Sequence, residues 1–205
     1  MNVMRVLVVA GGKGTRMSLG EPKSLLRIND LPLIGHQLQE LHKVSQVNEV
    51  MVSVNTEVQQ GAFLKAVERY KLPKFKYQTS IHKYGHQMNV FLEGKVKDFV
   101  VGQDFLWSYG DVMYSSNLVK SLISVHNERN ATVITLGKPK YIESVLYEMD
   151  KEGKVTSGTK EARMGLHMPI LIDGKEVATL IRAAELGQRE DEFIINMLRQ
   201  IGYME

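Results

Sequence analysis

Short apolar runs alternate with longer stretches of helical period along the first two thirds of the chain. Met4–Val9 carries only one charge among apolar residues, the pattern of a strand buried on both faces. Leu33, Ile34, His36, Leu38, Leu41 and Val44 then recur on one helical face, and 50–54 reads as a second strand. A helix over 59–70, a strand over 75–78 and a helix over 87–96 follow, each bounded by glycine, proline or lysine-rich connections. Phe105–Tyr109 is another apolar strand and runs into Gly110-Asp111. Ser115 and Ser116 are candidate caps for a helix over 117–126, and 131–136 is a further β-rich run.

This alternation predicts an α/β fold: a Rossmann-like three-layer α/β/α sandwich whose mixed sheet is mainly parallel. The parallel part is expected to reach about residue 137. Strands over 143–149, 154–156 and 164–172 suggest antiparallel additions, and helices over 176–184 and 191–201 follow them. An open sheet of this kind holds ligands outside the carboxyl ends of its strands.

Composition narrows the classes of function. The 205 residues are 43% hydrophobic and 24% charged with five prolines, ordinary globular usage, and they predict a single domain over 1–205. There is no cysteine, which excludes disulfides, thiolate metal sites and a cysteine nucleophile and suits a cytoplasmic home. The apolar start is too short for a signal segment or a membrane span. A formal charge of +3 with scattered lysines and arginines points to local anion sites, not to a nucleic acid or a membrane as partner, and leaves a homo-oligomer open.

The strongest chemical signal is Gly11-Gly12-Lys13-Gly14-Thr15-Arg16, set directly after the first strand. Glycines there let the backbone take positive φ and turn several N–H groups onto one anion. Arg16 adds a forked, permanently charged donor, and Lys23, after Glu21-Pro22, a second, mobile cation. The Walker motif needs Gly-Lys-Ser/Thr, but Gly14 follows Lys13 here; a dinucleotide fingerprint beginning at Gly12 needs glycine or alanine where Met17 stands. A strand-to-helix turn with glycines for geometry alone is the plainer alternative.

The stretches Ala10 to Met17, Pro22-Lys23-Ser24-Leu25-Leu26, Ile28-Asn29, Pro32-Leu33-Ile34 and His36 resemble the start of a sugar-phosphate nucleotidyltransferase. The likeness continues at Tyr109-Gly110-Asp111 and through His126, Ala131 and Thr132, with weaker echoes at Asp150, Gly153 and Gly165-Leu166-His167. It covers most of the chain, densely over 4–36. Relatives by this resemblance act on sugar-1-phosphates, on small alcohol phosphates or in molybdenum-cofactor and cobamide synthesis. The resemblance implies that Ala10 to Arg16, Lys23, Gln78 and Gly110 bind the nucleoside triphosphate. It implies further that Asp111 holds Mg2+, with Asp191 as a second ligand, and that Lys160 and Gly165 touch the acceptor. Arg16, Lys23 and Asp111 are then the catalytic set.

The chemistry of nucleotidyl transfer fits so small a set. A phosphate-monoester oxygen attacks the α-phosphorus in line and pyrophosphate leaves; with a second pKa of about 6, the monoester is already ionised near neutrality and needs no general base. Positioning and charge neutralisation carry the catalysis. Plainer roles stand beside the functional ones: an aspartate after a strand can cap the next helix, Asp191 can complement a helix dipole, Asp173 can be a turn residue, and Lys160 can be a solvated lysine. The family's Glu-Lys-Pro motif is replaced by Lys160-Glu161-Ala162, and Tyr84-Gly85-His86-Gln87 stands where sugar enzymes carry Leu-Gly-Thr-Ala. A nucleotide-binding module without catalysis would use the same loop.

Overall fold

The computed structural model describes residues 4–12, 22–82, 87–137, 146–149, 155–159, 164–189 and 193. Strand β1 (Met4–Val9) lies between β4 (Val47–Val54) and β6 (Phe105–Tyr109), parallel to both. Beyond β4 lies β5 (Lys76–Ile81), also parallel. Strand β10 (Met164–Ile172) pairs antiparallel with β6, and β7 (Val133–Gly137) and β8 (Leu146–Met149) pair antiparallel with β10. Strand β9 (Val155–Thr159) follows β8 at the far edge, so the order is β5-β4-β1-β6-β10-β8-β9.

Residues alternate between the two faces because strand side chains point to opposite sides. Val6, Val8, Val50, Val52 and Leu106 face one layer, built by α1 (Leu33–His42), α2 (Glu57–Arg69) and α4 (Ser116–Arg129). Leu7, Val9, Met51, Phe105 and Trp107 face the other, built by a 3-10 segment (Gln87–Leu92), α3 (Gly94–Val100) and α5 (Val177–Glu185). The sole tryptophan, Trp107, is fully buried there, with Phe91 edge-on at 5.0 Å between ring centroids. Helix α1 sends Ile34, Leu38 and Leu41 into the first core with no exposure, each contributing roughly 1.5–3 kcal/mol.

Several sequence-based boundaries move. The strand expected over 50–54 begins at Val47, where Met4 pairs with it. No parallel pairing lies beyond β6: β10 runs antiparallel against both β6 and β7, so β7 keeps the direction of the parallel strands but is separated from them by β10. Apolar periodicity reports burial and not which strand lies beside which, so this pairing was hidden. The helix expected over 87–96 is broken, because the Glu93 carboxylate accepts from Val96 N–H and caps a new helix at Gly94. A hairpin of β2 (Arg27–Ile28) and β3 (Leu31–Pro32) was not foreseen. Its two-residue turn holds Asn29 and Asp30 at φ 48° and 66°, the type I′ geometry in which asparagine and aspartate are at home. His36 bonds the Ile28 carbonyl at 2.7 Å and fastens this hairpin to α1. The helix expected over 191–201 lies outside the described residues apart from Phe193.

At the amino edge of the sheet, His126 places one ring nitrogen 2.8 Å from the Ala131 carbonyl and the other 3.1 Å from Asp104. Asp104 also accepts from Gly174 N–H, and Thr132 from Asp173 N–H. His126, Ala131 and Thr132, which carried part of the resemblance, thus tie the return of α4 to the ends of β6 and β10. Asp173 caps the 3-10 turn at Gly174–Glu176 and stands at the opposite end of β6 from Asp111, which removes it as a metal candidate.

Helix α4 stops at Asn130, whose left-handed backbone (φ 51°, ψ 48°) lets its N–H bond the His126 carbonyl. Alanine there meets the Cβ clash that disfavours this region. Asn130→Ala should lower stability by about 1 kcal/mol in urea unfolding, with Asn130→Gly near neutral; equal stability of the alanine and glycine variants would refute this account.

Candidate active site

The chain runs outward from β1 through β4 to β5 and then returns to the other side of β1 with β6. The crossover helices α1 and α2 cover one face and α3 the other. The carboxyl ends of β1 and β6 therefore flank a topological switch point, where the covering layers part and leave a crevice. Ala10-Gly11-Gly12 leaves β1 there, and Gly110-Asp111 leaves β6.

These two strand ends are locked together. Gly110 N–H bonds the Val9 carbonyl at 2.9 Å, and Ala10 N–H bonds Ser53 at 2.7 Å on the other side. A Cβ on Gly110 would stand 2.8 Å from Ala10 Cβ and 3.0 Å from Ser24 Cβ, so only glycine permits this approach. Lys23 N–H reaches the Gly12 carbonyl at 3.4 Å, so the chain returns to the mouth of β1 before entering the 3-10 turn Lys23–Leu25. As a result Lys23 Nζ lies 3.8 Å from Asp111 Oδ2, the two side chains 35% and 40% exposed. A pair so placed contributes little to stability, about 0–1 kcal/mol, and keeps both charges available to solvent and ligand.

Asp111 has no capping duty. The cap of α4 is Ser115, whose hydroxyl accepts from Leu118 N–H, while Ser116 N–H donates to Glu40 of α1 at 2.8 Å. Glu40 is held below the usual carboxylate range by its hydrogen bond from Lys43, then by that from Ser116. Among the described residues no group of three or more histidine, aspartate or glutamate side chains gathers as a metal cage. A hard magnesium ion retains several waters and takes one or two carboxylates plus substrate phosphates, so a half-exposed Asp111 at a strand end fits it.

The other sequence-predicted positions divide. Ala10, Gly11, Gly12, Lys23, Gly110 and Asp111 meet at the crevice. Gln78 stands in the middle of β5 opposite Met51, not at the strand's end as expected, because β5 continues to Ile81. Gly165 lies on the part of β10 that extends past the carboxyl end of β6, bridging Gly137 and Leu146. Lys13, Gly14, Thr15, Arg16, Lys160 and Asp191 lie outside the described residues. Neither Gly11 nor Gly12 has positive φ, contrary to the expectation for the loop's start. Gly11 is instead glycine for space: a Cβ would fall 1.9 Å from Asn55 Oδ1.

Residues 6–196 match the MobA-like NTP transferase domain. The chain belongs to this family. Among its relatives is the bifunctional protein GlmU of Thermotoga maritima, 31% identical over 61% of this chain but only 26% of GlmU, so the chain spans about a quarter of that relative's length. Choline-phosphate cytidylyltransferase of Streptococcus pneumoniae is 26% identical over 76% of this chain and 68% of its own length. In fold, the chain superposes on a Bacillus anthracis structure assigned as a glucose-1-phosphate thymidylyltransferase with a TM-score of 0.76 at 18% identity, over 98% and 85% of the two chains. A UDP-glucose pyrophosphorylase complexed with UDP-glucose gives 0.65 at 14% identity, over 87% and 79%. The family is one of nucleotidyltransferases with sugar-phosphate relatives, and the fold is the Rossmann-like sandwich of nucleotide-diphospho-sugar transferases.

Family membership does not by itself point to the polar residues packed beneath the glycine loop. Asn55, just past β4, donates from Nδ2 to the His82 carbonyl at 3.0 Å, and its N–H donates to Gln59 Oε1 at 2.8 Å. Gln59 Nε2 in turn donates to the Gly11 carbonyl at 3.3 Å. His82 Nδ1 lies 2.8 Å from Ser53 Oγ, and Ser53 accepts from Ser80 at 2.7 Å. Buried among these groups, His82 has its pKa lowered to about 4. The small polar residues Ser53, Asn55, Ser80 and His82 at two consecutive strand ends were a signal in the sequence, masked by their resemblance to ordinary loop composition.

Two outcomes follow from this layer. Gly11→Ala must expel the Asn55 carboxamide from its bond to His82 and should cost about 1–3 kcal/mol, whereas Gly12→Ala, with nothing within 4 Å, should stay within ~0.5 kcal/mol; equal melting temperatures for the two variants would contradict the steric argument. His82 is neutral in the fold and takes up its proton more readily when unfolded, so between pH 6.5 and about 4 the unfolded state binds more protons and stability falls as pH falls. The loss should approach roughly 3 kcal/mol at pH 4, and His82→Asn should flatten the pH dependence of urea stability in that window; an unchanged slope would remove His82 as its source.

Proposed function

We propose that the chain transfers a nucleotidyl group from a nucleoside triphosphate to a phosphate monoester, with a sugar-1-phosphate as acceptor, giving a nucleotide-sugar and pyrophosphate. The observation that carries this reading is the Lys23–Asp111 pair, opposite charges 3.8 Å apart at the switch point and beside the glycine loop of a nucleotidyltransferase-family chain.

In this reading the backbone of Gly11 to Thr15 and the Arg16 guanidinium hold the triphosphate, within a site that includes Ala10 and Gly110. Lys23 faces the α-phosphate, where negative charge accumulates as the acceptor oxygen bonds to phosphorus and the bond to the pyrophosphate oxygen breaks. The acceptor oxygen arrives already deprotonated, so no residue need act as base. Asp111 would hold Mg2+, with Asp191 as a second ligand, and the ion supplies charge neutralisation on the phosphates. Lys160 and Gly165 would contact the acceptor. The cysteine-free chain suits the cytoplasm, and among the described residues no helix is long and apolar enough to cross a membrane.

An alcohol phosphate is the second reading of the acceptor. It is favoured by the choline-phosphate cytidylyltransferase relative, 68% of whose own length aligns with this chain, against 26% and 33% for the GlmU proteins of Thermotoga maritima and Francisella tularensis.

Pyrophosphate release should be measured for the four ribonucleoside triphosphates and thymidine triphosphate against a panel of sugar-1-phosphates and alcohol phosphates, choline phosphate included. At least one pair should turn over with magnesium, and Asp111→Ala should lower that turnover by ~100-fold or more with an unchanged melting temperature. Silence of every pair would favour a nucleotide-binding module without catalysis, and full activity of Asp111→Ala would remove the proposed metal ligand.

A further inference from the structure

Helix α1 carries one polar residue in its buried face. Gln37 is 1% exposed, between Ile34 and Leu38 in sequence and on the side of the helix turned toward β6. Its Nε2, with two hydrogens to share among three acceptors, lies 2.9 Å from Ser108 Oγ, 3.0 Å from the Tyr109 carbonyl and 3.2 Å from the Val112 carbonyl. Two of those acceptors are backbone groups three residues apart, and the residues between them are Gly110 and Asp111. The Tyr109 carbonyl also accepts from Val112 N–H at 3.3 Å, which closes the turn.

A strand leaving a parallel sheet over an apolar layer has carbonyls that no neighbouring strand can satisfy, and burying them unpaired is unfavourable. Ala10 and Ser24 hold the outer side of this turn through Gly110. Gln37 holds its inner side. Tyr114, buried, lies against Gln37 and Ser108, and burial pushes its phenol up, so it stays neutral beneath the turn. A glutamine on an otherwise apolar helix face breaks the local pattern, and such breaks concentrate where a structure serves a site.

We propose that Gln37 is a positioning residue: it clamps the Tyr109 and Val112 carbonyls and thereby fixes the direction in which Asp111 points toward bound metal and phosphate. This rests on the reading of Asp111 as the metal-holding carboxylate. The clamp itself is a matter of geometry and is testable separately. Supporting partners of a metal ligand characteristically alter metal affinity when removed, while leaving the ligand itself in place.

The test compares the wild type with Gln37→Met, which keeps the volume and loses the donors, and with Leu41→Ala, which weakens the same helix away from the turn. Amide exchange over 109–114 should accelerate in Gln37→Met while 105–108 stay protected. The metal half-saturation, read by Mn2+ calorimetry with nucleoside triphosphate present and by magnesium titration of pyrophosphate release, should rise by about tenfold. Leu41→Ala should lower the melting temperature yet leave that half-saturation unchanged. Unaltered exchange in Gln37→Met would overturn the clamp. Faster exchange with unaltered metal half-saturation, or an equal rise in Leu41→Ala, would overturn the positioning role. Failure of the wild type itself to take up Mn2+ with triphosphate would instead bring down the metal reading of Asp111, and the positioning role with it.

Discussion

The approach of Gly110 to Ala10 is the contact on which the crevice depends. Strands β1 and β6 are adjacent and parallel, yet they arrive from opposite directions of the chain's winding, and nothing in the sheet ladder fixes what happens past their last pair. The missing side chain at Gly110 lets the two exits lie against each other, with Ser24 as the third wall. That contact seats the turn beginning at Lys23 beside the turn bearing Asp111. A side chain at Gly110 would wedge the exits apart and separate the two charges, even with every helix and strand intact.

Support for the crevice comes from below and not from its rim. One polar layer, Asn55 with Gln59, holds the exit of β1; another, Gln37 with Ser108, holds the exit of β6. Both are built from neutral amides and hydroxyls in a low-dielectric setting, where hydrogen bonds fix geometry without adding charge. The charged groups are left at the surface of the crevice. At the other end of β6, the buried His126 and the part-exposed Asp104 stand 3.1 Å apart and tie strand starts to a helix end.

Much of this was legible in the sequence, for identifiable reasons. Strand β1 and strand β6 announce themselves by apolar runs ending in glycine, and α4 by Ser115, a cap that also frees Asp111 from that role. The meeting of Lys23 with Asp111 followed from motif likeness. What remained hidden depended on partners distant in the chain. The place of β7 on the far side of β10, the break before Gly94 and the mid-strand place of Gln78 are set by pairing and capping that no local period encodes. Nothing local marks Gln37 in the sequence, because its acceptors lie more than seventy positions away. Gly11 was read as a conformational requirement when the constraint is the volume occupied by Asn55.

Trp107 lends the molecule an optical property. It is the chain's sole indole, enclosed by Phe91, Phe105 and Tyr109 on the face away from α1 and α4. Its fluorescence therefore watches only half of the protein: the layer of α3 and α5, reached through β6 two residues before the strand's end. Events confined to the opposite layer are dark to it unless β6 itself moves, which makes the emission of this one ring a selective witness to whether disturbance at the crevice travels through the sheet or stays on one side of it.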